Sequence, residues 1–152
     1  MSGRVLLTVG AVLRGDDACG PLLAKTMEER PVEGWQVFDG GQMPEDYISV
    51  IRRIEPDELV MVDAAHMGLP VGELRQLTVR DVAGDFLTTT HSLPLSFMLS
   101  ELEQCCGEVV FLGVQPGHTD FFAPLSPEVH QTVEQLHAML AAGTDPASIQ
   151  FL

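Results

Sequence analysis

Three polar residues that lie far apart in the sequence, Asp16, Asp63 and His91, are of the types from which a metal-contacting enzyme site is built. Two carboxylates and an imidazole can hold a divalent metal ion and leave coordination positions open. Each residue lies where an apolar segment or a loop gives way to polar residues. In an open α/β sheet, such positions can converge on one crevice beyond the carboxyl ends of the strands. The sequence therefore predicts that these side chains share an enzyme site or a metal-reading site.

Asp63 ends an otherwise apolar segment, Glu58–Val62, which is predicted to be a buried strand. A carboxylate in this position must be paired, hydrated or bound to a metal, because a lone buried charge is costly. The structural alternative is that Asp63 caps the turn formed by residues 64–68. The position at a strand end favours the functional interpretation, since open sheets place their ligands there.

Asp16 and its neighbour Asp17 follow the first predicted strand and precede a helix. One of them could cap the helix and complement its dipole while the other faces the crevice, and the residues alone leave both roles open. His91 also precedes a helix start, where the dipole disfavours the charged imidazolium. The neutral imidazole is the form that binds metals. His66 is a competing imidazole, although an exposed turn histidine is the simpler interpretation.

Other chemistries are weakly supported. The segment from Gly10 to Gly20 matches neither common phosphate-binding motif, and its two aspartates would repel phosphate. Cys19 lies close to the same loop and could act as a nucleophile, but no Cys/His motif accompanies it. Asp39 ends the second predicted strand and could line the same crevice, or it could belong to a plain turn with the two glycines that follow.

The elements that must position these residues alternate along the chain. Strands are predicted at residues 4–10, 35–38, 58–62, 72–79 and 108–114, and helices at about 20–30, 44–54, 95–102 and from Pro127 to just before Gly143, with Ser126 as N-cap. Most strands are continuous apolar runs, typical of buried parallel strands, whereas residues 72–79 alternate and indicate a half-exposed antiparallel edge strand. The predicted fold is an α/β, three-layer α-β-α sandwich around a mostly parallel five-stranded sheet with one antiparallel edge strand. Residues 1–152 are expected to form one domain, with 144–152 as a loose tail.

Composition limits the possible partners. The formal net charge is -14, with only 8 Lys and Arg residues, which argues against nucleic acid because its phosphates would be repelled. A cation or a basic protein segment is a better partner for such a surface. The sequence has no run of 18 apolar residues and no signal-peptide core, so no membrane span and a cytoplasmic location are expected. The three cysteines, without a CxxC motif, suit reduced thiols.

Several motifs together resemble the [NiFe]-hydrogenase maturation endopeptidases, and in detail the branch of that family that serves hydrogenase 3, the hydrogenase of the formate hydrogenlyase complex. The resemblance covers residues 4 to about 140. It is carried by Val9–Ala24, Asp39–Glu45, Val62–Ala64 with Met67–Gly68, Thr89–His91 and Phe111–Pro116. This chain departs from the family pattern in its first loop, where Ala11 replaces an asparagine and Ala18 or Cys19 replaces a glycine.

The resemblance implies a cytoplasmic aspartyl-type endopeptidase that removes the C-terminal extension of a hydrogenase large-subunit precursor after nickel insertion. It assigns Asp16, Asp63 and His91 as metal ligands and catalytic residues. The nickel would be carried by the substrate, and other divalent metals could occupy the same site. Either a metal-bound water or a water activated by a carboxylate would attack the peptide bond. The alternative function is a non-catalytic acidic chaperone, or a metal-binding module, for the same large subunit, which only the altered first loop supports.

Overall fold

The computed structural model describes residues 3–83 and 94–152. Within these ranges, five strands form one sheet in the order β2-β1-β3-β5-β4. The strands β1, β2, β3 and β5 are parallel, and β4 runs antiparallel to β5 at the edge. The predicted sheet is therefore confirmed. The strand bounds are β1 (Arg4–Thr8), β2 (Trp35–Asp39), β3 (Glu58–Ala64), β4 (Leu74–Leu77) and β5 (Glu108–Val114).

Helices cover both faces of this sheet, which confirms the three layers. Their bounds are α1 (Cys19–Glu29), α2 (Ile48–Ile54), α3 (Val79–Val82), α4 (Leu95–Glu103) and α5 (Pro127–Ala141), and short 3-10 helices lie at Gly15–Ala18, Pro44–Tyr47 and Pro146–Ser148. Successive strand residues point to opposite faces. Thus Leu6 and Val60 pack in the core beneath α1 and α5, whereas Leu7 and Met61 pack in the core beneath α2 and α4.

The order of the strands fixes where a ligand site should lie. From β1 the chain passes to β2 at one edge of the sheet, whereas from β3 it passes to β4 at the other edge and then returns to β5 beside β3. Because the connections diverge between β1 and β3, a crevice opens beyond their carboxyl ends. Two segments border this crevice: the loop that follows β1 and the end of β3, which contains Asp63.

The loose tail predicted for residues 144–152 is wrong, because this segment packs along the free edge of β4. The backbone N–H of Gln76 donates to the carbonyl of Gln150 at 2.8 Å, and that of Leu152 donates to the carbonyl of Gln76 at 3.0 Å. The side chain of Gln76 also donates to two carbonyls of the tail. The tail covers a strand edge that would otherwise be open to other chains.

The edge strand is also shorter than the predicted 72–79, because Thr78 begins a helix that the sequence did not suggest. The hydroxyl of Thr78 accepts a hydrogen bond from the backbone of Asp81, and the Asp81 carboxylate accepts from the backbone of Thr78. This reciprocal capping box starts α3 directly after β4.

At the opposite, amino edge of the sheet, charged residues begin three neighbouring strands. Arg4 of β1, Glu58 of β3 and Glu108 of β5 lie in register. Burial, followed by contact with the Glu108 carboxyl group, raises the pKa of Glu58 to about 7. Two carboxyl groups therefore meet at this edge of the sheet, and the neutral form of Glu58 is favoured there.

None of the helices in the stretches 3–83 and 94–152 combines the length and the apolar character that a membrane crossing requires.

Candidate active site

Asp63 lies near the carboxyl end of β3, opposite Gly113 of β5, and its side chain is fully buried. Its Oδ1 accepts a hydrogen bond of 2.8 Å from the backbone N–H of Ala64. This bond reaches only the next residue of β3, so it is a contact within the strand and not a cap of the turn that follows. A carboxylate has about four acceptor positions, so this bond is compatible with a further contact to a metal or a substrate. The rigid strand fixes the position of this carboxylate.

The loop after β1 folds back on itself because of a glycine. Gly10 has a φ of 149°, and a Cβ there would overlap the carbonyl oxygen of Asp17. Only glycine allows this close approach. The loop brings Asp17 to a fully buried position, where its Oδ2 accepts a hydrogen bond of 3.0 Å from the backbone N–H of Ala11. Ala11 departs from the family pattern, but this hydrogen bond uses only the backbone N–H of residue 11 and is therefore retained.

Asp16 is also fully buried, and its carboxylate binds the loop between β5 and α5. Oδ1 accepts from the backbone N–H of Ser126 at 2.6 Å. Oδ2 accepts from the hydroxyl of Ser126 at 2.6 Å, from the backbone N–H of Gly117 at 2.7 Å and from that of His118 at 3.3 Å. Hydrogen bonds to an ionised carboxylate are roughly twice as strong as neutral ones. Asp16 therefore holds the loop after β1 against the loop between β5 and α5.

Ser126 takes part in this arrangement in a way that the sequence did not reveal. It occupies the predicted N-cap position of α5, but no side-chain capping bond forms there. The hydroxyl donates to Asp16 instead. Ser126 and Asp16 are 110 positions apart, and the serine-proline pattern alone predicts a helix cap. No signal in the sequence connects these two residues.

Cys19, the first residue of α1, lies among the carboxylates. Burial raises the pKa of its thiol well above the usual value, and the nearby charges of Asp63, Asp17 and Asp16 raise it further, in that order. The charges of Asp16, Asp17 and Asp63 thus all act on one buried thiol. A thiol in such a site stays protonated, so it is a poor nucleophile.

The protonated state of Cys19 leads to a testable expectation. Iodoacetamide should leave Cys19 unmodified in the native protein at mildly alkaline pH and should label it after denaturation, as measured by mass spectrometry of peptides. Cys19→Ala should leave the rate of the reaction at this site within about threefold of the original, because a buried, protonated thiol is a poor nucleophile. Labelling of native Cys19 together with loss of activity would instead make this residue the nucleophile.

The predictions for His91, His66 and Asp39 have different outcomes. His91 lies outside the described residues. His66 is exposed, as a turn histidine would be. Asp39 accepts hydrogen bonds from the hydroxyl of Thr8 at 3.3 Å and from the backbone N–H of Gly41 at 3.2 Å. The second of these bonds is the kind that a plain turn uses.

The fold and the site together define an α/β protein whose buried carboxylates gather at the crevice between diverging strand connections. Residues 19–142 match the family model of the HycI hydrogenase maturation proteases. The hydrogenase 3 maturation protease of Escherichia coli strain K12 is 42% identical over 136 residues, which cover 90% of this chain and 87% of that protein. The chain belongs to the hydrogenase maturation protease family and is a peptidase of hydrogenase maturation.

Solved structures agree with this assignment. The solution structure of the endopeptidase HycI from Escherichia coli matches with a TM-score of 0.90 and 39% identity, covering 99% of this chain and 96% of that one. The crystal structure of the [NiFe] hydrogenase maturation protease HycI from Thermococcus kodakarensis matches with a TM-score of 0.81 and 31% identity, covering 94% of this chain and 92% of that one. A peptidase role is therefore favoured over the non-catalytic chaperone.

Proposed function

We propose that this chain removes the C-terminal extension from the precursor of a [NiFe]-hydrogenase large subunit, in the cytoplasm, once nickel has been inserted. The family supports hydrogenase maturation in general, and the relative named for hydrogenase 3 favours a substrate of that type. The observation that carries the proposal is the gathering of buried carboxylates around Cys19 at the ligand-binding edge of the sheet. The three cysteines form no disulfide, which suits a reducing compartment.

The nickel belongs to the substrate, and the protease recognises it through Asp63, His91 and one of the two adjacent aspartates. Nickel accepts carboxylate oxygen and imidazole nitrogen as ligands. In a precursor without nickel, the buried carboxylates would meet the peptide with no positive charge to compensate them, which is unfavourable. Recognition of the metal thereby delays cleavage until assembly is complete.

We assign the direct contact to Asp17 rather than to Asp16, which was the residue predicted from the resemblance. The Oδ2 atom of Asp16 already accepts three hydrogen bonds and its Oδ1 accepts one. Turning this carboxylate toward a metal would break bonds that hold the two loops together. Asp17 also raises the pKa of Cys19 more than Asp16 does, second only to Asp63 among the carboxylates. The negative charge of Asp17 therefore acts more strongly at Cys19 than that of Asp16 does.

Asp63 is the candidate for proton transfer. Hydrolysis of a peptide bond needs a base that takes a proton from water and an acid that gives one to the leaving amine. The carboxylate of Asp63 is held by the strand and by the N–H of Ala64, and a fixed orientation of this kind favours proton transfer at one place. In the proposed reaction it takes the proton of the attacking water and returns it to the nitrogen of the cleaved bond.

Two preparations of the same precursor test the proposal. The purified protein is incubated with nickel-loaded and with nickel-free large-subunit precursor, and the mass of each is followed with time. We expect the loaded precursor to lose its C-terminal extension and the nickel-free precursor to keep its mass. Equal cleavage of both would overturn nickel recognition while leaving the peptidase role intact.

An apolar surface beside the crevice is suited to docking a protein substrate. Two loops present it, and its members are exposed by 58–79%: Val12, Leu13, Phe121 and Phe122. The backbone N–H of Phe122 donates to the carbonyl of Leu13 at 2.8 Å, and the guanidinium of Arg14 lies 4.4 Å from the ring centre of Phe121. Contiguous exposed apolar groups mark interaction sites. The surface continues into a depression of about 350 Å³ lined in part by residues 10–14.

The backbone of Phe122 supports this docking role. Its φ of 62° lies in the left-handed region, which costs free energy for any residue except glycine. An exposed phenylalanine in a strained conformation contributes little to folding. Replacement by glycine should relieve the strain, so Phe122→Gly is expected to fold with a near-normal melting temperature. It should nevertheless raise KM by about tenfold with little change in kcat, because truncation of an aromatic docking residue typically costs more than 1 kcal/mol.

Steady-state kinetics on nickel-loaded precursor measure this effect. Phe151→Ala is the matched control, since Phe151 is another exposed aromatic residue, 58% accessible, but lies in the tail beside β4. An unchanged KM for Phe122→Gly would show that the substrate docks elsewhere.

A further inference from the structure

An acidic depression lies at the amino edge of the sheet, at the other end of the strands from the candidate active site. Its volume is about 520 Å³. It is formed by the starts of β1, β3 and β5 and by the turn that follows α5. The described residues that line it include one arginine and four acidic residues: Arg4, Asp57, Glu58, Glu108 and Asp145. The depression therefore carries a strong negative charge without any known role in the peptidase reaction.

Glu58 is the unusual member, because it is only 8% exposed. Its Oε2 atom is buried, and no donor among the described residues gives it a hydrogen bond. Glu58 contacts the carboxyl group of Glu108, which lies directly opposite it in the parallel register. Two carboxyl groups in contact need either a shared proton or a bound cation between them, since two bare negative charges repel each other.

Arg4 supplies this positive charge only in part, since its lowering of the pKa of Glu58 is the smallest of the effects that act on that group. It lies opposite Glu58 on the other neighbouring strand, but its guanidinium is placed over the ring of Trp35, 5.1 Å from the ring centre. The ion pairs found between described residues join Arg30 to Glu134, Arg52 to Glu101 and Arg75 to Glu73, and none of them includes Glu58. The negative charges of the depression thus exceed the positive charge that faces them.

We propose that Glu58, Glu108 and Asp145 bind a hard divalent cation such as Ca²⁺ or Mg²⁺. One carboxylate oxygen from each residue lies within 4.8 Å of the others. Oxygens on opposite sides of Ca²⁺ are about 5 Å apart, and those on Mg²⁺ about 4 Å apart, so both ions are compatible with this limit. Carboxylate oxygens are the ligands that these ions prefer, and the open depression leaves room for the waters that complete the coordination.

The three ligands join separate parts of the fold. Glu58 begins β3, Glu108 begins β5, and Asp145 lies in the turn between α5 and the tail that covers β4. Asp145 already caps the 3-10 helix Pro146–Ser148 by accepting from the backbone N–H of Ala147 at 3.0 Å. A cation at this point would replace the repulsion between Glu58 and Glu108 by a bridge and would hold the start of the tail. The expected role is therefore structural.

The single tryptophan of the chain provides a specific probe for this site. Trp35 lies opposite Arg4, which lies opposite Glu58, so about two strand spacings, or roughly 10 Å, separate Trp35 from Glu58. Terbium(III) is a hard cation with the same preference for oxygen ligands, and its luminescence is excited by a nearby indole. We expect terbium to give tryptophan-sensitised luminescence with the native protein, and excess Ca²⁺ or Mg²⁺ to displace it. Whichever of the two displaces terbium at the lower concentration identifies the preferred ion.

Variants distinguish this site from the candidate active site. Glu58→Gln and Asp145→Asn should each lose most of the luminescence, whereas Asp63→Asn and the exposed control Glu29→Gln should keep it. Thermal unfolding gives a second measurement: Ca²⁺ or Mg²⁺ should raise the melting temperature of the native protein by a few degrees over EDTA and should not raise that of Glu58→Gln. Glu58→Gln should fold at least as well as the native protein in EDTA, because it removes one of two like charges.

The opposite results would overturn the proposal. If the native protein shows no sensitised luminescence and no response of its melting temperature to either ion, Glu58 and Glu108 share a proton instead. If Glu58→Gln responds to the ions as the native protein does, the cations bind elsewhere. Neither result depends on cleavage of a precursor, so the outcome is independent of the proposed function.

Discussion

Asp63→Asn is expected to lower the rate of precursor cleavage by a factor of at least about 10³. Loss of a positioned acid-base group typically lowers a reaction rate by a factor of about 10²–10⁴. The same substitution also removes a negative charge from the proposed nickel-binding site. The fold should persist. The amide oxygen of asparagine can accept the bond that Asp63 receives from the N–H of Ala64, and the two side chains have nearly the same size. The measurement is the initial rate of cleavage of nickel-loaded precursor, with circular dichroism to verify folding.

The matched control is Asp39→Asn. Asp39 also ends a parallel strand, but it is exposed and its side chain serves a turn. This variant should cleave the precursor at a rate within about twofold of the native one, as most surface substitutions away from special contacts have small effects. If both variants were equally slow, the loss would reflect the general charge of the crevice. If Asp63→Asn retained full activity, Asp63 would have no part in proton transfer.

The sequence predicted the fold well because each strand has a recognisable residue pattern of its own. Parallel strands buried on both faces require continuous apolar runs, and the segments that became β1, β3 and β5 have them. The alternation in residues 72–79 identified the antiparallel edge. Carboxylates at strand ends indicated where a crevice is expected, since the carboxyl ends of parallel strands meet at one edge.

The same sequence patterns could not predict polar contacts between residues that are far apart in the chain. Periodicity reports which residues face a core, but it carries no information about a single hydrogen bond between distant loops. Hence the bond from Ser126 to Asp16, the pairing of the tail with Gln76 and the meeting of Glu58 with Glu108 were all missed. A sequence pattern also cannot distinguish the roles of two adjacent aspartates. Only their partners in the folded chain separate Asp16, which binds the loop before α5, from Asp17, which binds the backbone of Ala11.

These partners predict opposite effects for the two aspartates. Asp16→Asn should destabilise the protein by about 3 kcal/mol, because an amide has one acceptor oxygen for four donors and would direct its own N–H groups at them. For a chain of this size, the loss corresponds to a melting temperature lowered by roughly 10 °C. Well below that temperature, however, its kcat should remain within about tenfold of the native value, since Asp16 acts on the site only through the loops that it holds.

Asp17→Asn should behave in the reverse way. Its amide oxygen can still accept the N–H of Ala11, so the melting temperature should fall by less than that of Asp16→Asn. Cleavage of nickel-loaded precursor should fall by at least about 10²-fold, because a charge that contacts the metal has been removed. Thermal unfolding and single-turnover cleavage of both variants decide between the two assignments. If Asp16→Asn were stable and inactive while Asp17→Asn were active, the metal contact would belong to Asp16, and the loop-fastening bonds would have to break each time the precursor binds.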